Sequence, residues 1–267
     1  MKLAWLTDVH LNFVGRSAVE ELCNAIRLSG VDAVMITGDL ASSKHLYQYL
    51  DYLADGLKMP IYFILGNHDY YGSSIHQVNF EVGGGVKARE NLFWLSRSGV
   101  VELTPDICLI GHEGLADGRL GNPNDSDVML NDYYQIEELR QPSKELRLEV
   151  QHKLGDEAAA YLKEQLREAV GVRQYKSVIV ALHVPPFAEA CWHEGNLSDA
   201  NFLPHFGCKA TGEVLREYAQ NFPAVDFVVY CGHTHSPGYA EILPNLKVHT
   251  AGAEYGQPRI ERILCFD

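Results

Sequence analysis

Five short motifs of Asp, Asn and His residues follow apolar stretches of this 267-residue chain. Carboxylate, amide and imidazole groups can bind divalent ions or transfer protons, whereas a simple turn needs only one such residue. The most concentrated motif is Gly-Asn-His-Asp at residues 66–69, directly after the apolar run 61–65. The other motifs are Asp8 with His10, Gly38 with Asp39, His183 alone, and Gly232 with His233 and His235. A single histidine is usually structural, but five motifs at the ends of five apolar runs indicate a shared site.

The apolar runs predict the strands that gather these motifs. Residues 3–6, 31–37 and 61–65 read as three strands with helices between them, and this order predicts a parallel sheet buried on both faces. Two later runs, 177–182 and 225–231, predict strands that end at the remaining motifs. Ligands of such sheets bind at the carboxyl ends of the strands, which is where the motif residues lie.

Residue patterns typical of helices predict one helix in each of the two gaps between the first three strands. Ser17 and Glu20 have the spacing of a capping box and predict a helix start, and Gly30 predicts its end. A second helix is predicted over residues 43–56, where apolar residues recur at helical intervals.

The regular alternation of strands and helices stops after the third strand. The glycines at 83–85 predict a flexible turn, and residues 100–110 predict a hairpin. The charged segment 137–168 predicts a helix with one solvated face. In the tail, the alternating segments 247–251 and 259–266 predict a final antiparallel pair.

Composition excludes some partners. The net charge of -13 argues against an extended nucleic acid, which requires a basic surface. No apolar stretch is long enough to span a bilayer, so no membrane partner is predicted. The six cysteines form no C-x-x-C pair, which favours a reducing compartment and predicts a cytoplasmic location.

Two motifs place their candidate ligands two residues apart. Asp8 with His10, and His233 with His235, would point the same way in an extended backbone, so that one pair could hold one ion. Oxygen ligands mixed with imidazole favour Mn, Fe, Zn or Ni over Ca or Mg. Thiolates are missing from the set, which argues against a structural zinc site.

Together the motifs resemble the signature of the calcineurin-like metallophosphoesterase family, which is D-x-H, G-D, G-N-H-[DE], H and G-H-x-H. The resemblance spans residues 8–235, with every element present and in order. It implies one metal held by Asp8, His10 and His235, a second held by Asn67, His183 and His233, and Asp39 bridging both. It also implies that His68 acts on the substrate and that Asp69 orients it.

The same resemblance implies a fold and a reaction. The fold is a four-layer α/β/β/α sandwich of two mixed sheets, formed by one domain over residues 1–267 with cap-like insertions near 112–135 and 184–208. The reaction is hydrolysis of a phosphodiester or phosphomonoester by a hydroxide that bridges two divalent transition-metal ions, with Mn or Fe favoured. His68 would stabilise charge on the phosphoryl group or protonate the leaving group.

The resemblance leaves the substrate open. A small phosphate ester is the expected partner, since the field of the site matters more to it than total charge. A nuclease or protein phosphatase of the same chemistry, and a scaffold that has lost catalysis, are the alternatives. Around the site, Trp192, His193 and Phe206 could form an apolar wall or simply pack their loop, and His112 and Asp117 could lie nearby. Histidines predicted to be structural are His45, His76, His152, His205 and His249.

Overall fold

Two mixed β-sheets pack face to face in the computed structural model, which describes residues 1–266. The strands in chain order are β1 (Lys2–Leu6), β2 (Ala33–Thr37), β3 (Ile61–Ile64), β4 (Leu92–Trp94), β5 (Val101–Thr104), β6 (Ile107–His112), β7 (Ser177–Leu182), β8 (Trp192–His193), β9 (Asn196–Leu197), β10 (Asp226–Cys231), β11 (Gly238–Leu243), β12 (Leu246–Thr250) and β13 (Arg262–Cys265). The α-helices are α1 (Arg16–Leu28), α2 (Ser43–Leu57), α3 (Ile75–Val86), α4 (Leu95–Ser98), α5 (Asp132–Gln135), α6 (Lys144–Leu166), α7 (Leu203–Phe206) and α8 (Lys209–Asn221).

The first sheet has the strand order β13-β1-β2-β3-β4. Strands β1 to β4 are parallel, as the β-α-β-α-β pattern predicts, and β13 is antiparallel to β1. All five residues of β2 are buried, because α1 and α2 cover one face of the sheet and the second sheet covers the other.

The second sheet has the order β11-β12-β10-β7-β6-β5. Its centre is parallel, whereas β11 and β5 at the two edges are antiparallel to their neighbours. The hairpin predicted over residues 100–110 is the β5–β6 pair and is confirmed. The β8–β9 hairpin stands apart from both sheets, within the long connection after β7.

Three apolar cores hold the four layers together. Between the sheets, the rings of Trp5 and Tyr230 meet edge to face with centroids 4.8 Å apart. On the outer face of the first sheet lie buried residues of α1, α2 and α3, such as Leu50, and on that of the second sheet lie α6 and α8, through residues such as Leu162. The expected α/β/β/α sandwich of two mixed sheets is therefore confirmed.

Three local predictions were wrong. The glycines at 83–85 lie inside α3, because the Ser74 hydroxyl caps that helix and buried Val78 and Val82 anchor it, which outweighs the helix cost of glycine. The first helix begins at Arg16 after an N-cap at Gly15, so the Ser17 capping box does not form. The preceding turn, fixed by the buried Leu11, brings the chain into the helix before it reaches Ser17.

The tail strands are the third error. They do not pair with each other: β12 pairs with β10 and β11, and β13 pairs with β1 in the other sheet. Alternation along a strand shows that one face is buried, but it does not say which neighbour supplies the hydrogen bonds.

Within residues 1–266, no helix is both long enough and apolar enough to cross a membrane.

The burial of side chains between the two sheets leads to a prediction about stability. Leu109 of β6 is fully buried there, so Leu109→Ala should lower the free energy of unfolding by about 2–5 kcal/mol through the lost burial and the cavity left behind. The matched control is Leu28→Ala at the end of α1, where the side chain is 88% exposed and the change should stay within about 0.5 kcal/mol. Urea unfolding of both variants measures this, and equal losses would contradict the assignment of the core.

Candidate metal centre

The motif residues come together where the carboxyl ends of the strands in the two sheets meet. Their positions are Asp8 and His10 after β1, Asp39 after β2, Asn67, His68 and Asp69 after β3, His183 after β7, and His233 and His235 after β10. Nδ1 of His183 lies 2.9 Å from the carbonyl oxygen of Thr37, which joins the end of β7 to the end of β2. The structure thus gathers all the predicted site residues in one region.

The backbone at this region is coiled rather than extended. Asp8, His10, Asp39, His233 and His235 all have left-handed conformations, with φ between 41° and 68°. The expectation of extended i, i+2 pairs was therefore wrong, because each exit turns back to hydrogen-bond a neighbouring strand end. For non-glycine residues this conformation costs about 1–3 kcal/mol each, and it concentrates at functional sites.

Four side chains form what we call the first group: Asp8, His10, Asp39 and His235. One ligand atom from each lies within 4.8 Å of all the others. The Nε2 atoms of His10 and His235 are 3.2 Å apart, and Nε2 of His235 is 3.4 Å from Oδ1 of Asp8. Oδ2 of Asp39 lies 3.7 Å from Nε2 of His10. Imidazole lone pairs and carboxylates that converge on one point fit a cation.

The second group consists of Asp39, Asn67, His183 and His233. The amide oxygen of Asn67 lies 2.8 Å from Nε2 of His183 and 3.0 Å from Nδ1 of His233. Oδ1 of Asp39 lies 3.4 Å from Nε2 of His183. The two oxygens of Asp39 therefore face different groups, so that this single carboxylate links them.

The negative charges of the carboxylates at the centre are not balanced by the protein alone. Burial, together with the neighbouring Asp8 and Asp69 carboxylates, raises the pKa of Asp39 well above its usual range. Burial lowers the pKa of His10 to about 3 and that of His233 to about 4, so both rings are neutral near pH 7 and offer lone pairs. A donor set of buried carboxylates, neutral imidazoles and an amide oxygen fits two transition-metal ions.

His68 lies beside the groups without belonging to either. Its ring stacks on Tyr71 at 4.2 Å and meets the edge of the His10 ring at 4.6 Å. Its backbone N–H donates to Oδ1 of Asp39 at 2.9 Å. Among residues 1–266, neither nitrogen of the His68 ring has a hydrogen-bond partner, so the ring is able to face a substrate.

Asp69 acts on the backbone rather than on the His68 ring. Its fully buried carboxylate accepts hydrogen bonds from the N–H groups of Ala41 and Gly66, both at 2.8 Å. These bonds tie the turn after β3 to the turn after β2. The predicted orientation of His68 by Asp69 can therefore operate only through the turn that carries both residues.

Two glycines make room for the ligands. A Cβ atom on Gly66 would lie 2.2 Å from Oδ1 of Asp39 and 2.6 Å from Cε1 of His183, and one on Gly232 would lie 1.9 Å from Oδ2 of Asp8. The φ angle of Gly66 is not positive, so this glycine is required for space and not for an unusual backbone angle.

Within residues 1–266, no hydrogen bond joins His112 or Asp117 to either metal group, and the suggestion that they lie near the centre stays a prediction. His112 lines a separate pocket with Glu113 and Trp94. The buried Asp117 carboxylate accepts a hydrogen bond from the Ala210 N–H at 2.9 Å and thereby holds the start of α8.

Residues of the long connection after β7 have both roles that the sequence left open, which are lining the cleft and packing the connection itself. His193 and Phe206 line the cleft above the centre, whereas Trp192 packs flat against the backbone at Gly238. His205, predicted to be structural, is buried and bonds Ser126, while its carbonyl oxygen lies 3.1 Å from Nε2 of His233. The other histidines predicted to be structural also lie outside both groups: His45, His76, His152 and His249.

The cleft itself has a volume of about 260 Å³. Its lining residues are Asp39, Asn67, His68, Tyr71, Leu130, Asn131, Asp132, His193, Phe206, His233, Thr234, His235 and Tyr255. Sequence analysis missed Tyr71, Asp132 and Tyr255. Tyr71 is the second residue after the Gly-Asn-His-Asp motif and could have been included, but nothing near Asp132 or Tyr255 in the sequence marks them as site residues.

A family model described as calcineurin-like phosphoesterase matches residues 1–237, and the chain belongs to this family. By class it is a phosphoester hydrolase, in a family that typically uses two metal ions. No curated protein sequence matches the chain significantly.

Solved structures share the fold at low identity. Phosphopantetheinyl hydrolase from Mycobacterium tuberculosis is 13% identical, with a TM-score of 0.68 over 97% of this chain and 94% of that one. A dimetal phosphatase from Danio rerio is 12% identical, with a TM-score of 0.58 over 98% and 88% of the two chains. At these identities the similarity establishes the metallophosphoesterase fold alone.

The close packing around Gly66 leads to a prediction about metal affinity. Gly66→Ala should displace Asp39 and His183, and so lower the affinity for Mn²⁺ measured by calorimetry by about 10-fold or more. The control is Gly84→Ala in α3, where a Cβ atom meets nothing within 4 Å and the variant should bind Mn²⁺ normally. Unchanged Mn²⁺ binding by Gly66→Ala would contradict the tight packing described here.

Proposed function

We propose that the chain is a phosphoesterase that uses two divalent ions, one in each group. Asp8, His10 and His235 would hold one ion, Asn67, His183 and His233 would hold the other, and Asp39 would bind both. The observation that carries the proposal is the position of Asp39, whose two oxygens face different groups. When bound, a pair of such ions supplies Lewis acidity and an activated water for in-line attack on phosphorus.

Charge explains how an acidic protein can attract a phosphate ester. Two divalent ions carry four positive charges, and the ligand carboxylates of Asp8 and Asp39 supply two negative ones. The centre would remain positive within a chain of net charge -13. A substrate phosphate experiences this local field more strongly than the total charge of the protein.

His68 is the group best placed to act on the ester. Its ring lines the cleft and is held by stacking on Tyr71, so an N–H of the neutral ring can donate to a phosphoryl oxygen or to the leaving oxygen. Asp69 keeps the turn that carries His68 in position through its bonds to two backbone N–H groups.

The cleft favours a diester over a monoester. Among residues 1–266, no Lys or Arg lines it, while Asp132 does. A monoester dianion would bring a second negative charge with no cationic side chain to receive it, whereas a diester carries one charge and a second substituent. Leu130, Phe206 and Tyr255 offer apolar surface to that substituent.

The same charges weigh against the alternatives. A nuclease needs a basic groove, and a protein phosphatase acts on a monoester dianion. A scaffold without catalysis would not need both complete groups together with His68.

We also propose a single domain in which segments 112–135 and 184–208 serve as caps, since both contribute residues to the cleft. The cytoplasmic location, and a small ester as the partner, stay predictions.

Removing and restoring the metal tests the proposal. Protein treated with a chelator should not hydrolyse bis-p-nitrophenyl phosphate, and added Mn²⁺ should restore turnover. The restored kcat/KM should exceed that for p-nitrophenyl phosphate by roughly 10-fold, because the monoester leaves a charged oxygen unpaired. Both substrates release p-nitrophenolate, so the leaving group is matched. A preference for the monoester would contradict the assignment of a diester substrate. Turnover of neither substrate would argue against an enzymatic function.

The role of His68 is tested by His68→Ala. This variant should bind two Mn²⁺ ions like the original protein, since His68 is outside both groups, but should lose about 10²–10⁴-fold in kcat on the diester. His76→Ala is the control, because His76 is exposed at the start of α3 and should change neither quantity. Full turnover by His68→Ala would show that the ring does not act on the substrate.

A further inference from the structure

A buried carboxylate outside the family signature contacts a member of the second group directly and is linked to His68 through one intermediate residue. Asp132, in α5, is 7% exposed. Its Oδ1 atom accepts a hydrogen bond from Nδ2 of Asn67 at 2.9 Å and another from the hydroxyl of Tyr71. No sequence motif marks this residue, and it lies 65 positions after Asn67 in the chain.

The first consequence concerns the Asn67 amide. An amide has a donor end and an acceptor end, while an ionised carboxylate only accepts. The bond to Asp132 therefore assigns the NH₂ end to α5 and turns the oxygen of Asn67 toward His183 and His233. The same NH₂ group also donates to the Tyr71 hydroxyl oxygen at 3.3 Å, so Asp132 is the nearer of two acceptors that hold the amide in this orientation.

The second consequence concerns His68. The Tyr71 ring stacks on His68, and the Tyr71 hydroxyl is held by the same Asp132 oxygen. One carboxylate atom thus fixes the donor end of a ligand amide and the ring that supports His68.

The segment that carries Asp132 is itself fixed to the turn after β3. The Gly72 N–H donates to the Gln135 carbonyl at 2.9 Å, and the Glu137 N–H donates to the Ser73 carbonyl at 3.1 Å. The Glu138 carboxylate receives the Ile75 N–H at 2.8 Å. These bonds, all on the C-terminal side of Asp132, hold the segment that carries it against the turn after β3.

The second group also has little charge of its own. Its one carboxylate, Asp39, is shared with the first group, and its other members are an amide and two neutral rings. Asp132 adds a negative charge immediately behind the amide, as the outer partners of metal ligands commonly do.

From these contacts we infer that Asp132 is a positioning residue that sets the affinity of the second group for its ion. The inference rests on the proposed two-ion function and adds a residue from the 112–135 segment to it. By contrast, Asp132 makes no contact with the first group, so the ion held by Asp8, His10 and His235 should be insensitive to it.

The experiment is Mn²⁺ titration of chelator-treated protein by calorimetry, with electron paramagnetic resonance to separate single ions from coupled pairs. The variants are Asp132→Ala, Asp132→Asn and Tyr71→Phe, and the control is Asp125→Asn, an exposed acid of the same segment. The original protein and the control should bind two ions. Asp132→Ala should weaken one ion by about 10–100-fold and leave the other unchanged, with the coupled signal appearing only at higher Mn²⁺.

The other variants separate geometry from charge. Asp132→Asn keeps an oxygen that can accept from the Asn67 amide, so its loss of affinity should be smaller than that of Asp132→Ala. Tyr71→Phe removes the longer bond from Nδ2 of Asn67 to the Tyr71 hydroxyl but keeps the Asp132–Asn67 bond, so its loss of affinity should be smaller than that of Asp132→Ala. Thermal unfolding without metal checks that the variants fold, and if Asp132→Ala does not fold, Asp132→Asn decides.

Two failures are distinguishable. If the original protein binds fewer than two ions, the proposed function is wrong whatever the variants do. If it binds two ions but both Asp132 variants match it, or if they weaken both ions equally, the assignment of Asp132 to the second group is overturned.

Discussion

Burial of the Asp39 carboxylate between two sets of histidines is the interaction on which the rest of the site depends. A carboxylate in this position is unfavourable in the protein alone, because burial and the nearby acids Asp8 and Asp69 oppose its charge. Neutral histidine rings on both sides cannot compensate. Divalent ions at its two oxygens, as we propose, would favour the charged form of this carboxylate.

The fold meets this requirement by bringing strand ends of two separate sheets to one place. Each exit supplies one or two candidate ligands, the exits after β1, β2 and β10 turn back through left-handed residues, and Gly66 and Gly232 leave the space that the carboxylates occupy. Asp69 and Asp132 then hold the turn after β3 from two sides. The strained backbone is tolerated because hydrogen bonds from neighbouring strands determine it.

Sequence reasoning was most successful where chemistry and periodicity coincide. The strand ends at Asp8, Asp39, Asn67, His183 and His233 could be predicted because long apolar runs end in residues that bind metals. The layers followed from the β-α-β-α-β order and from the family resemblance. Contacts between distant segments could not be predicted: the pairing of β13 with β1, the coiled exits, and the approach of Asp132 and Tyr255 are all set by tertiary packing. Helix α3 shows the same limit, since the burial of Val78 and Val82 overrides the low helix propensity of three glycines.

The span of the first group has a consequence for how the protein gains and loses its structure. His10 and His235 face each other across 225 positions of chain. An ion held between them would close a loop that includes most of the polypeptide and would join the first sheet to the second. The entropy of the unfolded chain opposes such a closure, and an ion that binds only the closed form offsets that cost. The centre would then also link the two sheets, so that separating them requires release of the ion. Proteases would therefore gain access more slowly to the metal-loaded protein than to the metal-free one.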